Sequence, residues 1–219
     1  GISRTDKYNG GQLIEVYKDY LMTHEEGLYD LLILHNEDDL KGMPSILPIL
    51  NYPDLLEHAF TLKEQQIVDE SLADGQIRHL LKLICQSPYS IPVPVQAAMP
   101  PARCRIEQDQ VTFFVELTEG TLKHFYLDYK DYYYLPFEDR AVHKSIGACV
   151  DKEARIKATA SNCYTKTTGF FLPQFEAIWE PVMKQEYKDK MLYAALGDVY
   201  LADEAALQKY IKAILSYLK

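Results

Sequence analysis

Five prolines between residues 88 and 101 constrain the fold of this chain more than any other sequence feature. They are Pro88, Pro92, Pro94, Pro100 and Pro101. Proline lacks a backbone N–H and fixes φ, so no helix crosses this segment, which is predicted to be an extended edge or a linker. This proline-rich segment separates the first third of the chain, which has helical periodicity, from a region rich in β-branched and aromatic residues.

The region before the prolines is predicted to be helical. Apolar residues recur at intervals of three and four residues, which is typical of amphipathic helices. Helices are predicted over 12–23, 25–40, 44–50 and 53–60. Gly42 followed by Pro44 predicts the end of the second helix. Residues 61–75 are charged and lack an apolar stripe, so they are interpreted as a domain boundary.

The later region is predicted to begin as a sheet and to end as helices. Val111–Leu117 has strand composition, the Glu119-Gly120 pair predicts a turn, and 121–127 is predicted as the returning strand. Residues 77–85 fit a strand or a short helix equally well. Further segments are a strand at 132–135 and helices at 137–158, 174–196 and 203–218.

These elements predict an α+β protein with two domains. Residues 1–60 form a helical unit, and residues 61–219 form a small antiparallel sheet (about 77–135) with flanking helices (about 137–218). Asp203 is predicted to cap the last helix.

Composition limits the classes of protein that the chain can belong to. Apolar residues make up 47% and charged residues 25%, which is typical of a soluble globular protein, and no apolar run is long enough to span a bilayer. Four cysteines without zinc-site spacing indicate reduced thiols in a cytoplasmic protein. A net charge of −9 argues against coating of nucleic acid by bulk attraction but leaves a local basic surface open.

Asp39 is the candidate site residue that helical periodicity selects. On a wheel with Leu28 at zero, His35 falls at about −20° and Asp39 at about 20°, within the apolar stripe. Asp38 falls at about −80° and is the rival acid. A carboxylate on an apolar face is costly unless it is paired or binds a metal. A structural hydrogen bond in the core is the alternative explanation.

Two N-terminal segments carry a family resemblance. Residues 10–17, GGQLIEVY, and residues 34–43, LHNEDDLKGM, resemble the end of predicted ribonuclease-H-like 3′–5′ exonucleases of the DEDD superfamily. The resemblance implies that four acids bind two divalent metals, Mg²⁺ or Mn²⁺, and that Asp39 is the last acid and a metal ligand. His35 lies where a Tyr or His of such a site orients or deprotonates the attacking water.

The resemblance also implies that most of this catalytic site lies outside the chain. In the family the first acids lie on an early strand and another follows before the last helix. The acids that precede Asp38 and Asp39, apart from Glu37 on the polar face, are Asp6, Glu15, Asp19, Glu25, Glu26 and Asp30. None lies on a predicted core strand. The chain is therefore interpreted as a fragment, inactive alone, of an exonuclease that acts on DNA or RNA.

A basic segment is the second candidate site. Residues 140–170 contain six basic and two acidic residues. On an unbroken helix Arg140, Lys144 and Arg155 would share one face, which could meet phosphates while exposed tyrosines stack on bases. The candidate nucleic-acid residues are Arg140, Lys144, Arg155, Lys157, Lys166, Tyr132 and Tyr134. The alternative is a solvated basic face beside core tyrosines.

Three consecutive tyrosines precede the basic segment. Because side chains alternate along a strand, Tyr132 and Tyr134 are predicted to point one way and Tyr133 the other. The tyrosine-rich and basic stretches between 126 and 166 also resemble the tail that follows the exonuclease domain in the same family.

Two other functions compete with the exonuclease interpretation. The main alternative is a non-catalytic interaction module. A minor alternative is a thiol nucleophile at Cys163 with His143 as its base.

Overall fold

The structure is a computed structural model that describes Thr5, residues 7–199 and residues 201–219. It is a mixed α+β protein with helices at both ends and antiparallel sheets between them. Helices are α1 (Gly10–Thr23), α2 (Glu26–Ile46), α3 (Asn51–Glu57), the single turn α4 (Lys144–Gly147) and α5 (Glu204–Tyr217). None of the helices within the described residues is long and apolar enough to cross a membrane.

Helices α1 and α2 form an antiparallel hairpin at the N-terminal end. Asn9 caps α1 through a reciprocal pair of hydrogen bonds with Gln12, and His24 ends it in a left-handed conformation with φ of 55°. Leu13 of α1 is buried, as are Asp38 and Gly42 of α2. The hairpin therefore buries only a narrow seam.

Both hairpin helices keep a second apolar stripe exposed. Exposed apolar residues recur at helical spacing on each; they are Ile14, Tyr17 and Leu21 on α1, and Tyr29, Ile33, Leu40 and Leu47 on α2 and in the 3₁₀ turn that follows it. Soluble proteins seldom leave such contiguous apolar surface uncovered. The exposed stripes will be called the outer stripes.

Helix α2 does not end at Gly42 and Pro44, so that prediction is wrong. The helix continues through both residues to Ile46 and tightens into the 3₁₀ turn Leu47–Leu50. A proline in a helix removes one hydrogen bond, here the bond to the carbonyl of Leu40, and a single loss does not require the helix to stop.

A five-stranded antiparallel sheet holds the main core. Its strands, in spatial order, are β1 (Thr61–Ser71), β2 (Ile77–Gln86), β5 (Gln110–Glu116), β4 (Ala102–Glu107) and β3 (Val95–Met99). One face packs against α5, and this core contains Leu83 and Phe113 of the sheet and Tyr210 and Ile211 of the helix. The ambiguous segment 77–85 is thus a strand, and the proline-rich segment supplies the edge strand β3.

Strand β1 replaces the predicted boundary at 61–75. None of its residues is buried. Edge strands commonly carry charged side chains that discourage pairing with other chains. A strand that buries neither face has no apolar stripe, so the sequence pattern could not reveal it.

Two three-stranded sheets follow. One has the order β11 (Leu192–Ala195), β10 (Tyr164–Gln174), β6 (Thr118–Phe125); the other has the order β8 (Arg140–His143), β7 (Tyr132–Leu135), β9 (Ile156–Lys157). The predicted hairpin around Glu119-Gly120 is wrong, because β5 pairs with β2 and β4 whereas β6 pairs with β10. The chain passes from one sheet to another at this point.

The predicted helices at 137–158 and 174–196 are also wrong. The first segment contains β8, α4 and β9, and the second contains mostly irregular chain before β11. Pairing with β7 and β10 decides these segments, because non-local strand contacts override weak local helical spacing. The last helix is confirmed: the Asp203 carboxylate accepts hydrogen bonds from the amides of Ala205 and Ala206 at the start of α5.

Helix α3 contributes to the core of the five-stranded sheet. Leu55 and Phe60 are buried in the core under the five-stranded sheet. Tyr52 donates a hydrogen bond from its hydroxyl to the carbonyl of Val93 over 2.8 Å. Residues 51–60, assigned to the first unit from sequence, therefore share the core of the second.

Candidate metal-binding acid and nucleic-acid interface

His35 and Asp39 lie together on α2, as their four-residue spacing predicts. The His35 Nε2 atom is 3.4 Å from Oδ2 of Asp39. The His35 side chain is 19% exposed and that of Asp39 is 48% exposed. The imidazole is thus held beside a carboxylate that solvent, or a ligand, can reach.

The wheel placed the wrong acid in the buried seam. Asp38 is buried and its Oδ2 accepts a hydrogen bond from the amide of Thr5 over 2.6 Å, whereas Asp39 is exposed. The physical reason is that α2 carries two apolar stripes. The average direction of its apolar residues points between the α1 seam and the outer stripe, and Asp39 lies at that border.

Asp39 is not part of a larger cluster of metal ligands within the described residues. These residues contain no group of three or more His, Cys, Asp and Glu side chains that could hold a metal ion. Glu15, Asp19, Glu26 and Asp30 are exposed on the hairpin helices, Glu25 lies exposed just before α2, and Asp6 lies outside the described residues. An accessible carboxylate such as that of Asp39 is a hard oxygen donor, the kind that Mg²⁺ and Mn²⁺ prefer.

The tyrosines of β7 alternate as predicted. Tyr132 and Tyr134 face a small core with Ala141 and Cys163, while Tyr133 packs on the opposite side against Gly147. Tyr132 stacks on Tyr126 with ring centroids 4.7 Å apart. Both tyrosines that were proposed to stack on bases are therefore half-buried and already packed against other side chains.

Tyr133, not its neighbours, lies on the basic side of this sheet. Lys157 pairs with Tyr133, and Arg140 pairs with Leu135, so both basic residues project from the same face. The guanidinium of Arg155 lies 4.6 Å from the Tyr133 ring centroid and donates to the carbonyl of Gly147. We call Tyr133, Arg140, Arg155 and Lys157 the basic face.

A sheet, rather than the predicted helix, assembles this basic face. Arg140 lies on β8, Lys144 opens α4, and Arg155 follows a 3₁₀ turn, so their common helical face does not exist. Arg140, Lys144 and Lys157 are exposed, and within the described part of the chain they form no ion pair. Two-residue periodicity in 132–135 was the signal that could have identified Tyr133.

Lys166 lies in a different environment from the other candidates. Its ammonium group donates to Asp139, whose other carboxylate oxygen accepts hydrogen bonds from the hydroxyls of Tyr134 and Tyr164 over 2.5 Å each. The bonds from Lys166, Tyr134 and Tyr164 hold the pKa of Asp139 well below its usual range. We call these four residues the Asp139 cluster; it ties the β7–β8 hairpin to β10.

The Cys163 thiol is poorly suited to act as a nucleophile. Cys163 is fully buried, and burial raises its pKa to about 11, so the thiol stays protonated at neutral pH. His143 packs its ring edge-on against Tyr132 and has Nδ1 2.8 Å from the Ser145 hydroxyl. The minor alternative of a thiol nucleophile gains no support from this geometry.

Comparison with known proteins supports the N-terminal part of the resemblance. A family model described as RNase H superfamily matches residues 1–51, which end where α3 begins. The match contains His35, Asp38 and Asp39 and does not reach the sheets. No curated protein and no solved structure matches the chain.

Proposed function

We propose that this chain supplies the last carboxylate of a two-metal 3′–5′ exonuclease of the DEDD type, together with an accessory α+β unit that contacts DNA or RNA. The observation that carries the proposal is the RNase H superfamily match over residues 1–51, which contains the exposed acid Asp39 and the adjacent His35. The other acids of the site would lie on polypeptide outside this chain.

The outer stripes support this incomplete site. An amphipathic hairpin that packed only on itself would bury its apolar residues along one seam, but α1 and α2 each expose a second set. A sheet that covered the outer stripes would also bring its own acids toward Asp39, which lies at the border of the stripe on α2. The same packing therefore completes both a core and a metal site.

The chemistry assigns separate roles to the two α2 residues. Asp39 would hold Mg²⁺ or Mn²⁺, and a metal pair generates the hydroxide nucleophile and stabilises the leaving oxygen of phosphodiester hydrolysis. His35, 3.4 Å from the Asp39 carboxylate, would orient the attacking water or accept its proton.

We also propose a cytoplasmic location, because the sequence spacing of the four cysteines favours reduced thiols.

A nuclease assay tests the proposal directly. We expect this chain alone to release no nucleotides from single-stranded DNA or RNA with Mg²⁺ or Mn²⁺, because one acid cannot hold a metal pair. The natural polypeptide that includes the missing acids should digest the same substrates from the 3′ end. Activity of the isolated chain, or inactivity of the longer one, would count against the proposed site.

The basic face is the surface of the accessory unit that best fits a phosphate backbone. Arg140 and Lys157 are exposed without ion pairs in the described chain, and Arg155 is fixed by Tyr133 and Gly147. Exchange of phosphate counterions for such cations makes affinity depend on salt. Tyr132, Tyr134 and Lys166 would then act in packing, and Lys144 at the rim.

Salt titration measures this contact. Arg140→Ala and Lys157→Ala should each weaken binding of a single-stranded oligonucleotide and reduce the slope of log affinity against log salt by about 1. Lys209→Ala, an exposed lysine on α5, is the matched control and should leave the slope unchanged. If the slope is unchanged in all three variants, the basic face is a solvated surface that does not contact nucleic acid.

A non-catalytic interaction module is the second candidate function, and the outer stripes are again the observation that favours it. If another protein covers them, the longer polypeptide should lack nuclease activity. Polar replacements at Ile14 and Ile33 would then abolish capture of that partner without any effect on nucleic-acid binding.

A further inference from the structure

A groove beside the edge of β6 has the features of a binding site that the exonuclease proposal does not use. It has a volume of about 250 Å³ and is enclosed by the end of β6 and residues 180–187. Backbone hydrogen bonds between Lys123 and Lys184, both 2.8 Å, hold the two walls together. An isolated β-bridge therefore fixes residues 180–187 to the edge of β6.

Apolar side chains form the walls of this groove. Phe125 and Tyr187 stand edge to face, with ring centroids 5.4 Å apart and planes at 67°. Val182 completes the wall, and Leu127 at the rim is 92% exposed. Pockets for drug-sized ligands usually measure about 300–1,000 Å³, so this smaller volume suits a single planar ring system.

The polar groups of the groove are held in fixed orientations. The Nδ1 atom of His124 is 2.8 Å from the carbonyl oxygen of Val182. A carbonyl only accepts, so Nδ1 carries a proton, and in the neutral imidazole Nε2 is then an acceptor. The Glu180 carboxylate accepts the amide of Val182 over 2.8 Å, which fixes a second acceptor.

Lys184 supplies a cation at the same place. Its side chain is half-buried and makes no ion pair within the residues that the structure describes. Lys123, by contrast, is neutralised by Glu186 at 2.7 Å. The groove thus combines an apolar aromatic wall, two acceptors and one cation. A lipid chain would leave the polar groups unused.

We propose that this groove holds one unstacked base of a nucleotide, with the attached phosphate beside Lys184. Aromatic walls receive bases that leave the stack, and fixed acceptors meet N–H groups of the base edge. The inference rests on the proposed nucleic-acid binding and adds to it the position at which one base is held. The nucleotide is either part of a single strand or a free nucleotide, because both offer the same base and phosphate to the groove.

Binding of decathymidylate, the same decamer with abasic sites, and thymidine monophosphate separates the possibilities. The intact chain should bind decathymidylate about tenfold more tightly than the abasic decamer, since stacking contributes strongly per base. Tyr187→Ala should remove that preference. Phe170→Ala is the matched control and should keep the preference: Phe170 is 37% exposed, against 41% for Tyr187, and packs edge-on against His79 as Tyr187 packs against Phe125.

A second variant distinguishes loss of the base site from misfolding of Tyr187→Ala. Leu127→Ala changes a residue that is 92% exposed, so the fold should survive while the base preference falls. Equal affinity of the intact chain for the two decamers would overturn the base site yet leave the basic face in place. If the chain binds the monophosphate but neither decamer, and Tyr187→Ala abolishes that binding, the result would support the groove as a nucleotide site. It would contradict the proposed contact with nucleic acid. No binding of any probe would overturn both.

Discussion

Asp39→Asn should lower the nuclease activity of the complete protein by at least about a hundredfold while leaving its stability nearly unchanged. A metal ligand that loses its charge binds the cation poorly, and even residues that only support such ligands change affinity or activity by about 10–100-fold. The Asp39 side chain is 48% exposed, so an isosteric amide costs little in packing. Hydrolysis rates and urea unfolding curves of the two proteins provide the measurement.

Asp38→Asn is the matched control for that experiment. It removes the same charge from the adjacent position, but the amide oxygen can still accept the Thr5 amide that Asp38 binds over 2.6 Å. We expect activity within a few-fold of the unmodified protein. If Asp38→Asn abolished activity and Asp39→Asn did not, the ligand would be Asp38 and the assignment of Asp39 would be wrong.

Asp139→Asn should destabilise the chain by about 2 kcal/mol, the expected scale for partly exposed hydrogen bonds to a charged group. Asp139 accepts from Lys166, Tyr134 and Tyr164, and these bonds join two sheets. The amide has one acceptor oxygen in place of two and no charge for Lys166. Urea unfolding at neutral pH measures the loss.

The pH dependence of this loss has a definite sign. The folded pKa of Asp139 is lowered, so its contribution is fully present above the unfolded pKa of about 3.9 and is lost as pH falls below that value toward the folded pKa. The stability difference between the two proteins should therefore be constant from pH 7 to about pH 5 and shrink below about pH 4.

Glu186→Gln is the control for the Asp139 cluster. It breaks the ion pair with Lys123, in which the Glu186 side chain is 70% exposed, and should cost no more than about 1 kcal/mol. Two results would show that the Asp139 cluster does not stabilise the junction of the sheets. Both substitutions could lower the free energy of unfolding equally, or the loss caused by Asp139→Asn could grow as the pH falls.

Local signals in the sequence predicted the parts of the fold that local interactions decide. Helix α1 and the cap of α5 follow from apolar spacing and from a side chain that bonds the next amides, which act within a few residues. The alternation of Tyr132, Tyr133 and Tyr134 follows from strand geometry alone. The four-residue spacing of His35 and Asp39 likewise placed them together before any tertiary contact was known.

Tertiary contacts decided what depends on partners distant in sequence. The exposed edge strand β1 has no apolar stripe, and the segments at 137–158 and 174–196 became strands and irregular chain through pairing with β7 and β10. Arg140 and Lys157 reach one face only because β8 and β9 flank β7. By itself the sequence determined that an acid and a histidine share a helix; the packing of α2 on α1 decided which acid is buried, since a helix with two apolar stripes has no unique inner face.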